Sequence, residues 1–163
     1  MTLDALETVA AAVGARLKDK GMTLATAESC TGGWVAQAVT TVSGSSEWFD
    51  RGFVTYSNEA KREMLGVRRE TLDAHGAVSE EAAREMAEGA LAASRAQAAL
   101  AITGVAGPAG GTPQKPVGMV CFAWALPDGR VDAVTRRFDG DRAAVRRQSV
   151  IFALEGLLER LGN

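Results

Sequence analysis

Short apolar runs alternate with longer stretches of helical period along nearly the whole chain, and this alternation restricts the fold more than any single motif. Leu6, Val9, Ala10, Val13 and Leu17 recur at three- and four-residue steps, which predicts a helix from about Leu3 to Lys20 with Gly21 as its stop. Met22 to Ala27 reads as a strand, and Gly33 to Val42 as a helix with Trp34, Ala38 and Val39 inside and Gly44 ending it. Trp48 to Tyr56 is a second strand. Asn58 is placed to cap a helix running to Leu65, and Ser79 to cap one carrying Ala83, Met86, Ala87, Ala90 and Leu91 on one face. Ala98 to Ile102 is a buried-looking strand. Val117 to Leu126 and Val131 to Phe138 bracket the turn Pro127-Asp128-Gly129-Arg130 and predict a hairpin. A last helix spans Arg142 to Leu161, with Ile151, Leu154, Leu157, Leu158 and Leu161 toward the core. Helices alternating with strands, plus one hairpin, imply an α/β fold: three layers, α/β/α, around a mixed sheet.

At 163 residues, with no segment that reads as a linker, the chain is expected to form a single domain, residues 1–163. It is 47% hydrophobic and 23% charged, the balance of an ordinary globular protein. Eighteen basic residues against 20 acidic ones leave a net charge of −2, which argues against a nucleic-acid or membrane-surface partner. Two cysteines, Cys30 and Cys121, are too few for a disulfide framework, and one histidine, His75, rules out a His-rich metal site. Neither a leader sequence nor a membrane span is apparent, so the expected compartment is the cytoplasm.

Four stretches carry chemistry. In Ala27-Glu28-Ser29-Cys30-Thr31-Gly32-Gly33, between a strand and a helix, two glycines allow a sharp turn and free N–H groups face any oxyanion. A hydroxyl here either attacks a substrate or, as Ser29 or Thr31, simply caps the helix. Lys61 follows Tyr56, the only tyrosine, and falls in the first turn of a helix, where the dipole disfavours an ammonium; it is either a usable general base or a solvated lysine paired with Glu59 or Glu63, with Tyr56 a core aromatic. With His75 read as part of a connector, a serine nucleophile would take a lysine as base more readily than a histidine. Cys30 lacks the same histidine. The loop Thr103 to Thr112 is glycine-rich without a Walker A or dinucleotide pattern and suits a backbone anion nest. Arg142 and Arg146 share one face near a helix start, beside Asp139 and Asp141, and either bind a phosphate or pair with those aspartates.

Taken in order, these strings resemble the CinA carboxy-terminal domain family. They are Ala27 to Gly33, Arg51 to Lys61 with Leu65-Gly66-Val67, Gly76-Ala77-Val78-Ser79, Thr103 to Pro108, Gly110-Gly111-Thr112, Lys115 to Gly118, and Phe138 with Gly140-Asp141-Arg142 and Val145-Arg146. The resemblance covers almost the whole chain. It implies hydrolysis of the carboxamide of nicotinamide mononucleotide, without metal or cofactor. It also implies roles: Ser29 as nucleophile, Lys61 as its base, and Tyr56 as a supporting proton relay. The N–H groups of Thr31, Gly32 and Gly33 would hold the oxyanion. The substrate phosphate would sit against Thr103 and Gly104 or against Arg142 and Arg146. A homodimer or larger homo-oligomer is implied, with the surroundings of Trp34 and Trp48 as contact surface. Longer family members carry an amino-terminal domain linked to ADP-ribose hydrolysis; nothing in these residues matches it, and that activity is expected to be absent. Three other readings stay open: a non-catalytic nucleotide-binding module, a serine amidase for another carboxamide, and a partner in DNA uptake.

Overall fold

In the computed structural model, which describes residues 4–162, the helical stretches and apolar runs become six α-helices and five strands. In chain order they are α1 (Ala5–Asp19), β1 (Leu24–Glu28), α2 (Trp34–Thr40), a 3-10 turn (Ser45–Glu47), β2 (Phe49–Val54), α3 (Asn58–Leu65), α4 (Arg69–His75), α5 (Glu80–Ala92), β3 (Ala98–Gly104), β4 (Met119–Ala125), β5 (Val131–Arg137) and α6 (Arg142–Leu161). Leu3, expected in the first helix, lies outside the described residues. The one element that the sequence pattern misses is α4: of its seven residues only Thr71 is buried, so it shows no apolar period. Asn58 is the first helical residue of α3 and not its cap; Ser57 is the cap, its hydroxyl accepting from the Ala60 N–H at 3.0 Å.

The sheet order is β2-β1-β3-β4-β5. β1 pairs in parallel with both β2 and β3, whereas β4 is antiparallel to β3 and to β5, so the sheet is mixed as expected. The hairpin turn closes through the Leu126 N–H on Arg130 O and the Gly129 N–H on Leu126 O.

Alternation along the strands sorts large residues to one face and small ones to the other. Leu24, Leu100, Ile102, Val120, Phe122 and Trp124 meet α1, α2 and α6 in one core. Ala25, Ala27, Ala99, Ala101, Ala123 and Ala125, with Cys121, form the opposite face and meet Ala83, Met86, Ala87 and Ala90 of α5 and Leu65 of α3. Alanine against alanine lets α5 lie close to the sheet, where short separations recover dispersion energy that small side chains would otherwise forgo. The result is the three-layer arrangement.

Two expectations about the core change. Ile151 is only half-buried and flanks the buried stripe of α6, which runs through Val145, Val150, Ala153, Leu154, Leu157 and Leu161, whereas Leu158, also half-buried, still packs against the core as expected. Trp48 is 3% exposed and packs on α1, so its own side chain belongs to the core. Trp34 is half-buried, with the Arg146 guanidinium 5.5 Å over its ring.

Gly14 makes room for Trp48: a methyl there would come within 2.5 Å of the indole Cζ2. Gly14→Ala should therefore destabilise the fold by about 1–3 kcal/mol through overpacking, read as a lower denaturant midpoint at unchanged slope.

Candidate active site

The chain leaves β1 for β2 through α2 on one face of the sheet, and leaves β2 for β3 through α3, α4 and α5 on the other. The connections that leave β1 and β2 therefore run to opposite faces, and a crevice opens at the carboxyl ends of β1 and β3. Ser29 follows β1 directly, and Thr103 and Gly104 end β3. A cleft of about 300 Å³ lies there, lined by Ser29, Cys30, Tyr56, Asn58, Lys61 and Arg142 among others, with Thr103 and Gly104 in its wall.

Lys61 is 1% exposed. The Ser57 cap starts α3 one turn earlier, and this places the lysine amine inside the molecule. Its Nζ donates to Ser29 Oγ at 3.1 Å and to Thr55 O at 3.0 Å. Burial pushes its pKa below the usual lysine value, with the Cys30 thiol acting in the opposite direction. Ser29 itself is 8% exposed, and its N–H donates to Ile102 O, so the backbone at the nucleophile position continues the β1–β3 ladder. A hydroxyl beside a buried, readily neutral amine is the pairing that a serine–lysine nucleophile needs.

The loop after Ser29 is held by a residue that sequence reasoning missed. Gly33, at the N-cap of α2, has φ 101° and offers no side chain to the helix. The Glu28 carboxylate does so instead, accepting from Val35 N at 2.8 Å, Ala36 N at 3.1 Å and Thr31 Oγ1 at 2.6 Å. Burial raises its pKa, and these hydrogen bonds act against that rise. The one signal for it in the sequence is an acid ending an apolar strand just before a helix that opens on Gly-Gly.

The structure gathers part of the expected site and separates the rest. Tyr56 is 63% exposed at the rim, where its hydroxyl accepts from Arg142 Nη2 at 3.0 Å and makes no hydrogen bond to Ser29 or Lys61. Arg142 also donates to Gly107 O at 2.8 Å, and the Thr103 hydroxyl donates to Ala77 O at 2.9 Å. Thr31, Gly32, Gly33 and Arg146 line a different recess, with Trp34 and Gln37. Arg146 donates to the carbonyls of Cys30 and Thr31, so it braces the loop. The Gly32 N–H donates to Ser29 O, which leaves it unavailable to an oxyanion. His75, at the end of α4, lies 3.6 Å from Glu81 and outside the cleft, so it cannot serve Ser29. Among the described residues no His, Cys, Asp or Glu cluster suits a metal, and no helix is long and apolar enough to cross a membrane.

Cys30 lines the cleft, but burial pushes its thiol up to about 12. At pH 8 roughly one molecule in 10⁴ would carry the thiolate. Iodoacetamide at that pH should leave Cys30 unmodified in the native protein and alkylate it after denaturation, read by mass spectrometry. Lys61 gives a second expectation. Its folded pKa is lowered, so between that value and the ordinary lysine value the unfolded chain binds the extra proton, and stability rises with pH across this window. Lys61→Met removes this penalty. It should raise the melting temperature at neutral pH, and the gain should shrink as the pH approaches about 10.

The sequence matches the model of the CinA C-terminal domain over residues 6–161. The chain is 56% identical over 162 residues to the nicotinamide-nucleotide amidohydrolase PncC of Escherichia coli, covering 98% of this chain and 97% of that protein. It is 52% identical over 158 residues to the protein of the same name from Pseudomonas putida, with 96% and 98% covered. Among solved structures, the competence/damage inducible protein CihA from Agrobacterium tumefaciens is similar at a TM-score of 0.94 and 46% identity, over 100% of both chains. The chain belongs to the CinA C-terminal domain family.

Proposed function

We propose that this protein hydrolyses the carboxamide of nicotinamide mononucleotide, giving nicotinic acid mononucleotide and ammonia. The observation that carries the proposal is the buried Lys61 amine 3.1 Å from the Ser29 hydroxyl, in a chain 56% identical to an amidohydrolase named for nicotinamide nucleotides. In this reading Lys61 reacts as the free amine, the form that burial favours. One of its protons stays on Thr55 O, and its contact with Ser29 reverses, the hydroxyl now donating to the amine lone pair. The proton passes from Oγ to Nζ as Oγ attacks the amide carbon. The ammonium so formed lies beside the oxyanion and stabilises it in a site with little water. The same group then protonates the departing ammonia, and a water deprotonated by Lys61 releases the acid.

The phosphate is assigned to Arg142, the guanidinium that lines the cleft, in preference to Arg146, which lines a separate recess and braces the loop. Thr103 and Gly104 form the wall beneath it. Because the Tyr56 oxygen accepts from Arg142, the phenolic proton is left for the substrate, which suits a donor at the rim better than a relay between Ser29 and Lys61. On this reading residues 1–163 act as one catalytic domain in the cytoplasm, on a free nucleotide.

Purified protein should release ammonia from nicotinamide mononucleotide, with or without chelator. Ser29→Ala and Lys61→Met should each lower kcat by roughly 10³-fold or more. The wild-type rate should climb with pH as Lys61 loses its proton, reaching a plateau below the ordinary lysine value. Binding of the mononucleotide without ammonia release would identify a binding module instead.

A further inference from the structure

We infer that Glu28 is a positioning residue for the nucleophile, acting through the loop that it closes and not through the substrate. The inference rests on the assignment of Ser29 as nucleophile. The carboxylate is 1% exposed, and no ion pair involving it is present among the described residues. It is absent from the cleft wall, so it does not meet the reacting atoms. A buried carboxylate without a cation is costly unless its oxygens are fully used. Here both oxygens serve the same short segment, through three bonds of 2.6–3.1 Å to Thr31, Val35 and Ala36.

These bonds make the segment from Glu28 to Ala36 a closed ring. The backbone leaves Glu28 from a strand position paired on both sides, with Ile102 of β3 and Val54 of β2. It passes through Ser29, turns at Gly32 and Gly33, both at positive φ, and returns as α2 to the Glu28 side chain. Side chains alternate along a strand, so Glu28 points to the α2 face and Ser29 to the α3 face. The clamp and the nucleophile therefore lie on opposite sides of one peptide unit. Ser29 is fixed upstream by the ladder, through its N–H on Ile102 O, and downstream by the ring and by the Gly32 N–H on its own carbonyl. Arg146 braces the same loop from outside, through the carbonyls of Cys30 and Thr31. Loosening the ring would let Oγ drift from Lys61 without touching the phosphate contact.

Glu28→Gln keeps the shape of the side chain but turns an N–H₂ toward a backbone N–H, which breaks at least one of the three bonds. Two rates are read on each protein: ammonia release from nicotinamide mononucleotide, and sulfonylation of Ser29 by phenylmethylsulfonyl fluoride, located by mass spectrometry. In the second, Oγ displaces fluoride at sulfur and the hydroxyl proton passes to Lys61, so Ser29 is reported without substrate. Glu28→Gln should lose roughly 10- to 100-fold in kcat with KM within about threefold, and sulfonylation should slow in parallel. If Glu28→Gln does not fold, Thr31→Val, which removes one bond, should show the same split at smaller amplitude. An unchanged kcat, or a rise in KM alone, would overturn the inference. If the wild type releases no ammonia but is sulfonylated at Ser29, the substrate assignment fails while the sulfonylation rates still decide the role of Glu28. A wild type unreactive at Ser29 overturns both.

Discussion

An amine almost wholly withdrawn from solvent is the constraint around which this molecule is arranged. Lys61 ends against a carbonyl and a hydroxyl, with no carboxylate to compensate a positive charge, so the fold itself favours the free base. Enclosing that amine takes several elements at once. The Ser57 cap sets the start of α3, Thr55 turns its carbonyl inward, and β1 delivers Ser29 from the opposite side. A group held in a state that water would not favour stores reactivity, and the rest of the structure carries the cost of holding it there.

The sheet offsets much of that cost through its unequal faces. Large side chains on the α1, α2 and α6 side form the thicker core, and the aromatic cluster of Phe122, Trp124, Phe138 and Phe152 belongs to it. The alanine face admits α5 closely, and α3 packs on α5 where Gly89 leaves no room for a Cβ below Leu65. The distance of Lys61 from the sheet thus depends on the smallness of residues well removed from it. Positions that read as filler in composition set the depth of the amine.

Much of this was legible in the residues alone. Apolar periodicity located the long helices and central strands, because each buries a full stripe or face, and the edge strands β2 and β5 were read without one; α4 escaped because it buries only Thr71. Placing Lys61 in a first helical turn was sufficient to suggest a depressed amine, though the cap is Ser57 and not Asn58. Helical spacing put Arg142 and Arg146 on one face, yet packing gave them different work, since one turn along α6 separates the rim of the cleft from the back of the loop. Free N–H groups at the start of α2 are a sound inference from any helix, but their partner was unforeseen: a carboxylate from the preceding strand consumes them. Such a long-range cap leaves little mark in a single sequence.

The clasp at the rim has a consequence for affinity. Arg142 directs one N–H to Gly107 O and one to Tyr56 Oη, and a guanidinium has five. Three donors stay available while two hydrogen bonds hold the side chain at the rim. An immobilised long side chain ordinarily costs a ligand roughly 0.5–1.5 kcal/mol on binding. Here that entropy is lost during folding, so an arriving anion meets a fork already in position and keeps more of what its contacts are worth.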